Sequence, residues 1–196
     1  MILMDLRPPF IDDLSATLHH VWRQLARAVH DRHSPLHTPM LATVGADAAP
    51  RVRTVVLRGA DSHAWSIVIH TDARSTKAAE LTREPRVSLA FYDAGHGAQI
   101  RIEGRATRYL GDDIAAAAWA RLPAASRRDY RTVAAPGTPS VVATDGLPEG
   151  VSALDDGIEN FMLVEIEIDV LEWLLLHPDG QRRARFTREA ATWLVP

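Results

Sequence analysis

The sequence predicts a mainly β protein, an antiparallel barrel of six to eight short strands with helices packed outside it. Two observations carry this. From Met40 onward the apolar residues recur in short runs broken by turn-forming residues, with few helical stretches between them, which is the pattern of antiparallel strands and not of alternating βαβ units. No Gly-rich loop opens a helix, which argues against a dinucleotide Rossmann site or a P-loop. The 196 residues, 46% of them hydrophobic and 24% charged, fit a single domain spanning 1–196 with a core of its own.

The elements follow in order. Between Asp12 and Arg32, residues Leu14, Leu18, Val21, Trp22, Leu25, Ala28 and Val29 recur at three- and four-residue spacings, an amphipathic helix with Asp12 or Asp13 as N-cap. A loop with Pro35 and Pro39 ends it. Five β-like runs come next: Met40 to Val44, Val52 to Leu57, Trp65 to Thr71, Arg86 to Tyr92 and Gln99 to Tyr109. Between the third and fourth, Ser75 to Arg83 is a short helix stopped by Pro85. An Ala-rich helical region runs from Asp112 to Leu122, and residues 134–158, rich in Pro, Gly, Thr and Asp, form a long loop. In Phe161 to Val170, Met162, Val164, Ile166 and Ile168 alternate with Leu163, Glu165, Glu167 and Asp169, a strand wet on one side. Arg182 to Arg188 and Ala191 to Val195 make a last hairpin around Glu189 and Ala190.

Composition narrows the function. A net charge of −3 with basic and acidic residues interleaved leaves no nucleic-acid footprint. Without cysteine there is no disulfide, thiol catalysis or thiolate metal site, so redox chemistry needs a bound cofactor. The start, MILMDLRPPFIDDL, has no basic n-region or long apolar core, and no later run reaches membrane-spanning length; a soluble, cytoplasmic protein is expected. Nine histidines, among them His19, His20, His30, His33 and His37, lack ligand spacing such as HExxH, so no metal site is expected.

Three polar clusters interrupt the strands. In RTVVLR, Arg53 and Arg58 bracket Val55, Val56 and Leu57; guanidinium groups suit bidentate phosphate binding, and solvent-facing arginines on an edge strand are the alternative. Five residues apart, the two arginines point to opposite faces unless a bulge, a twist or a strand end intervenes. In HTDARSTK, His70 and Thr71 end a strand and the chain turns into a helix. Its first-turn amides, Ser75, Thr76 and Lys77 make an anion site, whereas a plain N-cap by Asp72 or Ser75 leaves Lys77 unexplained, because the helix dipole disfavours a cation there. In QIRIEGR, Glu103 and Arg105 read as a solvated outer face, while the Gln99 amide can both donate to and accept from a ring edge.

Taken together, these clusters resemble the pyridoxamine 5′-phosphate oxidase-like FMN-binding split-barrel superfamily. The branch with a long first helix, LATV, RTVVLR, TDARSTK and a terminal WLVP is most similar. The resemblance implies a split barrel, FMN as cofactor, a homodimer with the cofactor at the subunit interface, and FMN-dependent oxidoreduction of a small-molecule substrate. It assigns Arg53, Val55, Val56 and Arg58 to the phosphate and ring edge, with Arg58 where the oxidases usually have lysine. His70 stands where they have an aromatic residue, and Thr71 keeps the hydroxyl that follows. Ser75 and Lys77 match phosphate ligands, with Thr76 in place of an arginine, and Gln99 matches the glutamine at the isoalloxazine. Trp173 matches a tryptophan supplied across the dimer interface, Arg185 a final flavin contact, and Arg183 falls in the substrate stretch. There the oxidases carry Arg-x-His-Asp-Arg, whereas this chain reads Gln181-Arg182-Arg183-Ala184-Arg185. Two other readings stay open at this point: a split barrel that binds haem or stores a flavin without oxidase activity, and a cofactor-free β-barrel binding module.

Overall fold

A computed structural model describes residues 9–148 and 157–196. The first helix, α1 (Leu14–His30), is capped by Asp13, whose carboxylate accepts from the Ala16 N–H at 2.7 Å. Its inner face buries Val21, Trp22, Leu25 and Ala28. Nine strands then form one antiparallel sheet: β1 (Met40–Val44), β2 (Pro50–Thr54), β3 (Leu57–Asp61), β4 (Ser66–Asp72), β5 (Arg86–Asp93), β6 (Ala98–Tyr109), β7 (Phe161–Leu175), β8 (Arg182–Phe186) and β9 (Ala191–Leu194). The spatial order is β2-β1-β5-β6-β7-β4-β3, and β8 and β9 continue from β7. Three more helices lie outside it: α2 (Thr76–Arg83), α3 (Asp113–Ala120) and α4 (Ala124–Arg127).

The mainly β antiparallel class is as the sequence predicts, but the described residues hold nine strands where six to eight were expected. The extra one arises because the run Val52 to Leu57 is two strands. At Val55 and Leu57 the N–H groups leave the sheet and donate to the carbonyls of Pro39 and His37, both at 2.9 Å. β2 and β3 thus sit at opposite ends of the strand order without pairing, so the sheet is curled but not closed.

The second departure is in β7, which runs to Leu175 where the alternation predicts an end at Val170. Opposite Glu103 and Gly104 the register slips, with Val170 paired to Glu103 and Ile168 to Gly104, leaving Asp169 as the extra residue of a bulge. Even-numbered side chains point into the core before the bulge (Met162, Val164, Ile166, Ile168) and odd-numbered ones after it (Leu171, Trp173, Leu175). Gly104 is required there because a Cβ would overlap the Glu167 carbonyl oxygen.

The main core lies between the curled sheet and α1, with Leu25, Leu41, Leu57, Ile67, Ile69 and Phe186 among its fully buried members. A smaller cluster joins α3 to the outer side of β7 through Trp119, Phe161 and Leu163, with Tyr130 against it. The long loop expected at 134–158 is irregular through residue 148; residues 149–156 lie outside the described part. Val133 N–H donates to the Gly146 carbonyl at 2.9 Å and closes the base of this loop. Among the described residues no helix is long and apolar enough to cross a membrane.

Candidate cofactor site

The second cluster folds as a strand end feeding a helix start. β4 delivers His70 and Thr71, the chain turns over Asp72 to Ser75, and α2 begins at Thr76. Asp72 is occupied by Arg74, accepting from its backbone at 2.8 Å and its guanidinium at 2.7 Å. Ser75 holds the N-cap position yet gives no side-chain bond to the helix. Neither residue therefore caps α2, and the first-turn amides of Thr76 and Lys77, beyond reach of any intrahelical carbonyl, stay at the cleft edge.

Arg53, Ser75, Thr76 and Lys77 line one cleft of about 470 Å³. The Lys77 ammonium donates to Thr71 Oγ1 at 3.0 Å, and that hydroxyl lies 3.2 Å from Ser75 Oγ. Burial, and then the charge of Arg53, lower the Lys77 pKa. Arg53 is held from behind: it donates to Glu80 Oε2 at 2.7 Å and to Thr43 Oγ1, and Thr43 donates to the same carboxylate at 2.6 Å. Glu80 is only 5% exposed.

At the other end of RTVVLR the parity problem is resolved by the bulge that it demands. Leu57 pairs with Ile69 and Gly59 with Val68, so Arg58 is the residue pushed out between them. It is exposed and has no hydrogen-bond partner among the described residues. Val55 is buried and Val56 half-buried at the seam between β2 and β3. The His70 ring packs edge-on to Phe161 at 4.8 Å, with Nδ1 buried and unpartnered. Burial, reinforced by Arg58, pulls its pKa down to about 4, so it is a neutral imidazole at neutral pH. That suits the aromatic position the resemblance gives it and removes it as a resting proton carrier.

The remaining candidates lie elsewhere. Gln99 faces outward on β6, between Tyr92 and Leu174, and its amide has no partner among the described residues. Arg183 and Arg185 occupy the same outer surface on β8. Arg183 is engaged by Glu172 at 2.8 Å, while Arg185 is exposed without a hydrogen-bond partner among the described residues. Trp173 corrects the expectation of a contact reaching across to a second chain. The bulge at Asp169 turns it inward, where it is 2% exposed, lies opposite Ala184 and packs against Phe10 at 6.2 Å.

Sequence reasoning missed Glu80 and Thr43, which set the Arg53 guanidinium, and Pro136 and Gly137, which also line the cleft. Pro136-Gly137-Thr138-Pro139 was a visible turn signal, but nothing local ties it to residues sixty positions away. The tie is Arg74, which donates to the Thr132 carbonyl at 2.8 Å and to its hydroxyl at 3.0 Å. Among the described residues no three His, Asp or Glu side chains gather in a way that could hold a metal ion.

The family described as pyridoxamine 5′-phosphate oxidase, FMN-binding domain, matches residues 19–109, a stretch that contains Arg53 through Gln99. A pyridoxine/pyridoxamine 5′-phosphate oxidase from Cupriavidus pinatubonensis is 37% identical over 87 residues, covering 44% of this chain and 40% of that protein. The match thus spans well under half of the relative's length. Two solved structures share the fold over nearly the whole chain. A pyridoxamine 5′-phosphate oxidase-related, FMN-binding protein from Nostoc punctiforme has a TM-score of 0.76 at 22% identity, covering 97% of this chain and 99% of that one. PhzG from Burkholderia lata, solved with tetrahydrophenazine-1-carboxylic acid, has a TM-score of 0.75 at 22% identity, covering 98% of each. FMN is the cofactor of the matched domain; residues 19–109 are thus similar to the FMN-binding domain of the pyridoxamine 5′-phosphate oxidases, and the chain shares the fold of the two solved structures over nearly its whole length.

Proposed function

We propose that this protein is an FMN-dependent oxidoreductase acting on a small molecule, and that it works as a homodimer. The observation that carries the reading is the Lys77 ammonium, half-buried beside Arg53 and bonded to one hydroxyl, with no carboxylate ion-paired to it among the described residues. A cation in that setting is costly unless an anion meets it. The cleft fits a phosphate: two cations, the Ser75 and Thr76 hydroxyls and unclaimed first-turn amides converge there. Bound FMN supplies a hydride and electron acceptor at the flavin ring, and the protein contributes binding, orientation and exclusion of water. By the resemblance, Val55, Val56, Arg58, His70 and Thr71 would meet the ring side.

Two arginine- or lysine-type contacts, at about 1.5–3 kcal/mol each, fall short of the roughly 8 kcal/mol of micromolar binding, so the ring must be buried too. A second chain would supply that cover. The outer face of β2, β1 and β5 exposes Val52 (62%), Met40 (49%) and Tyr92 (49%), and Gln99 and Arg185 share this side of the sheet. Sedimentation at micromolar concentration is expected to give a dimer; a flavin-loaded monomer would contradict the shared site. For the cofactor itself, acid release and chromatography of the bound flavin are expected to return FMN. FAD as the main species, or a colourless protein that takes up no flavin, sinks the proposal.

A further inference from the structure

The most enclosed pocket among the described residues is separate from the cleft. It measures about 130 Å³ and lies between α1 and the ends of β6 and β7. Its inner wall is apolar, formed by Ile100, Trp173 and Leu175, with Phe10 stacked on the His20 ring at 3.9 Å beside it. None of the residues assigned to FMN phosphate or ring lines it except Trp173, whose indole the bulge has turned inward.

Its mouth is polar and rich in donors. His20, Gln24, His96 and His177 gather there with one carboxylate, Asp93. Asp93 is already spent on its own turn, accepting from His96 Nδ1 at 2.8 Å, Gly95 N–H at 2.9 Å and His96 N–H at 3.2 Å. His177 Nδ1 likewise accepts from the Asp179 N–H at 3.1 Å, which places the ring proton on Nε2. Arg23 lies 3.3 Å from His20 and adds positive potential. The His177 Nε2–H has no acceptor among the described residues.

An apolar cavity of about 150 Å³ holds one benzene ring. We propose that this cavity is a second binding site, for a one-ring aromatic carboxylate, with the ring against Trp173 and Ile100 and the carboxylate accepting from the His177 Nε2–H at the mouth. The site does not depend on the flavin reading, and it differs in charge and size from the phosphate cleft.

The test uses the purified protein with excess FMN and benzoate as probe. Benzoate at about ten times its dissociation constant should raise the melting temperature by about 3–6 °C, with saturable quenching of tryptophan fluorescence. 2-Naphthoate, too large for the space, and benzyl alcohol, which lacks the charge, should each bind at least tenfold more weakly. Ala98→Leu, which fills the cavity, should abolish the benzoate shift while FMN content stays at the parental level, and Lys77→Ala should leave the shift intact. No saturable benzoate binding, equal binding of naphthoate or of benzyl alcohol, or loss of the shift in Lys77→Ala overturns the proposal. If Ala98→Leu does not fold, the ring-size and charge series on the parent protein decides alone.

Discussion

Lys77→Ala should weaken FMN roughly ten- to hundredfold while leaving the fold intact, because it removes one charge-assisted phosphate contact of about 1.5–3 kcal/mol. Among the described residues the ammonium it deletes has only the Thr71 hydroxyl as hydrogen-bond partner, and Thr71 keeps Ser75 when Lys77 is gone. Arg53→Ala should behave differently. Its guanidinium is the charge partner of Glu80, whose carboxylate is 5% exposed, and breaking such a pair from one side costs about 3 kcal/mol or more. The single variant should therefore lose both flavin and stability. Adding Glu80→Gln removes the stranded charge, so the double variant should regain thermal stability without regaining FMN. Melting curves with and without excess FMN, beside a fluorimetric flavin titration, separate the two effects. If Lys77→Ala and the double variant bind FMN like the parent, the phosphate site lies elsewhere.

This asymmetry also shows how far the sequence could be read. RTVVLR and HTDARSTK announce cations and hydroxyls embedded in strands, and the cleft does bring Arg53, Ser75, Thr76 and Lys77 together. Glu80 was not legible, because one turn after Lys77 on α2 it reads as that lysine's helical partner. Only the fold carries β2 across to α2 and gives the carboxylate to Arg53 instead. The break at Val55 and Val56 was foreshadowed, since two arginines five apart require an interruption, but its place depends on carbonyls of the segment before β1. Trp173 was misplaced for a simpler reason. A bulge adds one residue and inverts every side chain after it, and alternation read through Val170 gives no sign of the inversion at Asp169. The clean half of β7 was therefore readable and the half nearest the substrate stretch was not.

That stretch carries the second large effect: turnover of pyridoxamine 5′-phosphate should be weak or absent. By resemblance, Gln181, Arg183 and Ala184 stand where the oxidases place Arg, His and Asp to hold the substrate. The structure makes the change deeper than a swap of side chains. Ala184 points into the core, fully buried opposite Trp173, so a carboxylate at that position would face the apolar interior and not a ligand. Arg183 is committed to Glu172 at 2.8 Å, which also faces Arg101 at 3.6 Å; the Arg183 and Arg101 charges together hold the Glu172 carboxyl below its ordinary pKa. Losing one charge-assisted contact costs about 1.5–3 kcal/mol, roughly ten- to hundredfold in kcat/KM. Arg185 stands beside it on the same outer surface, whereas Arg182 is turned to the other face and donates to Asp12 at 2.8 Å. Steady-state assays of the FMN-loaded protein with pyridoxamine 5′-phosphate, run beside the Cupriavidus oxidase, measure the difference directly. Efficiency within threefold of that enzyme, a factor of about 0.7 kcal/mol, would mean that the substrate is held by groups other than this stretch.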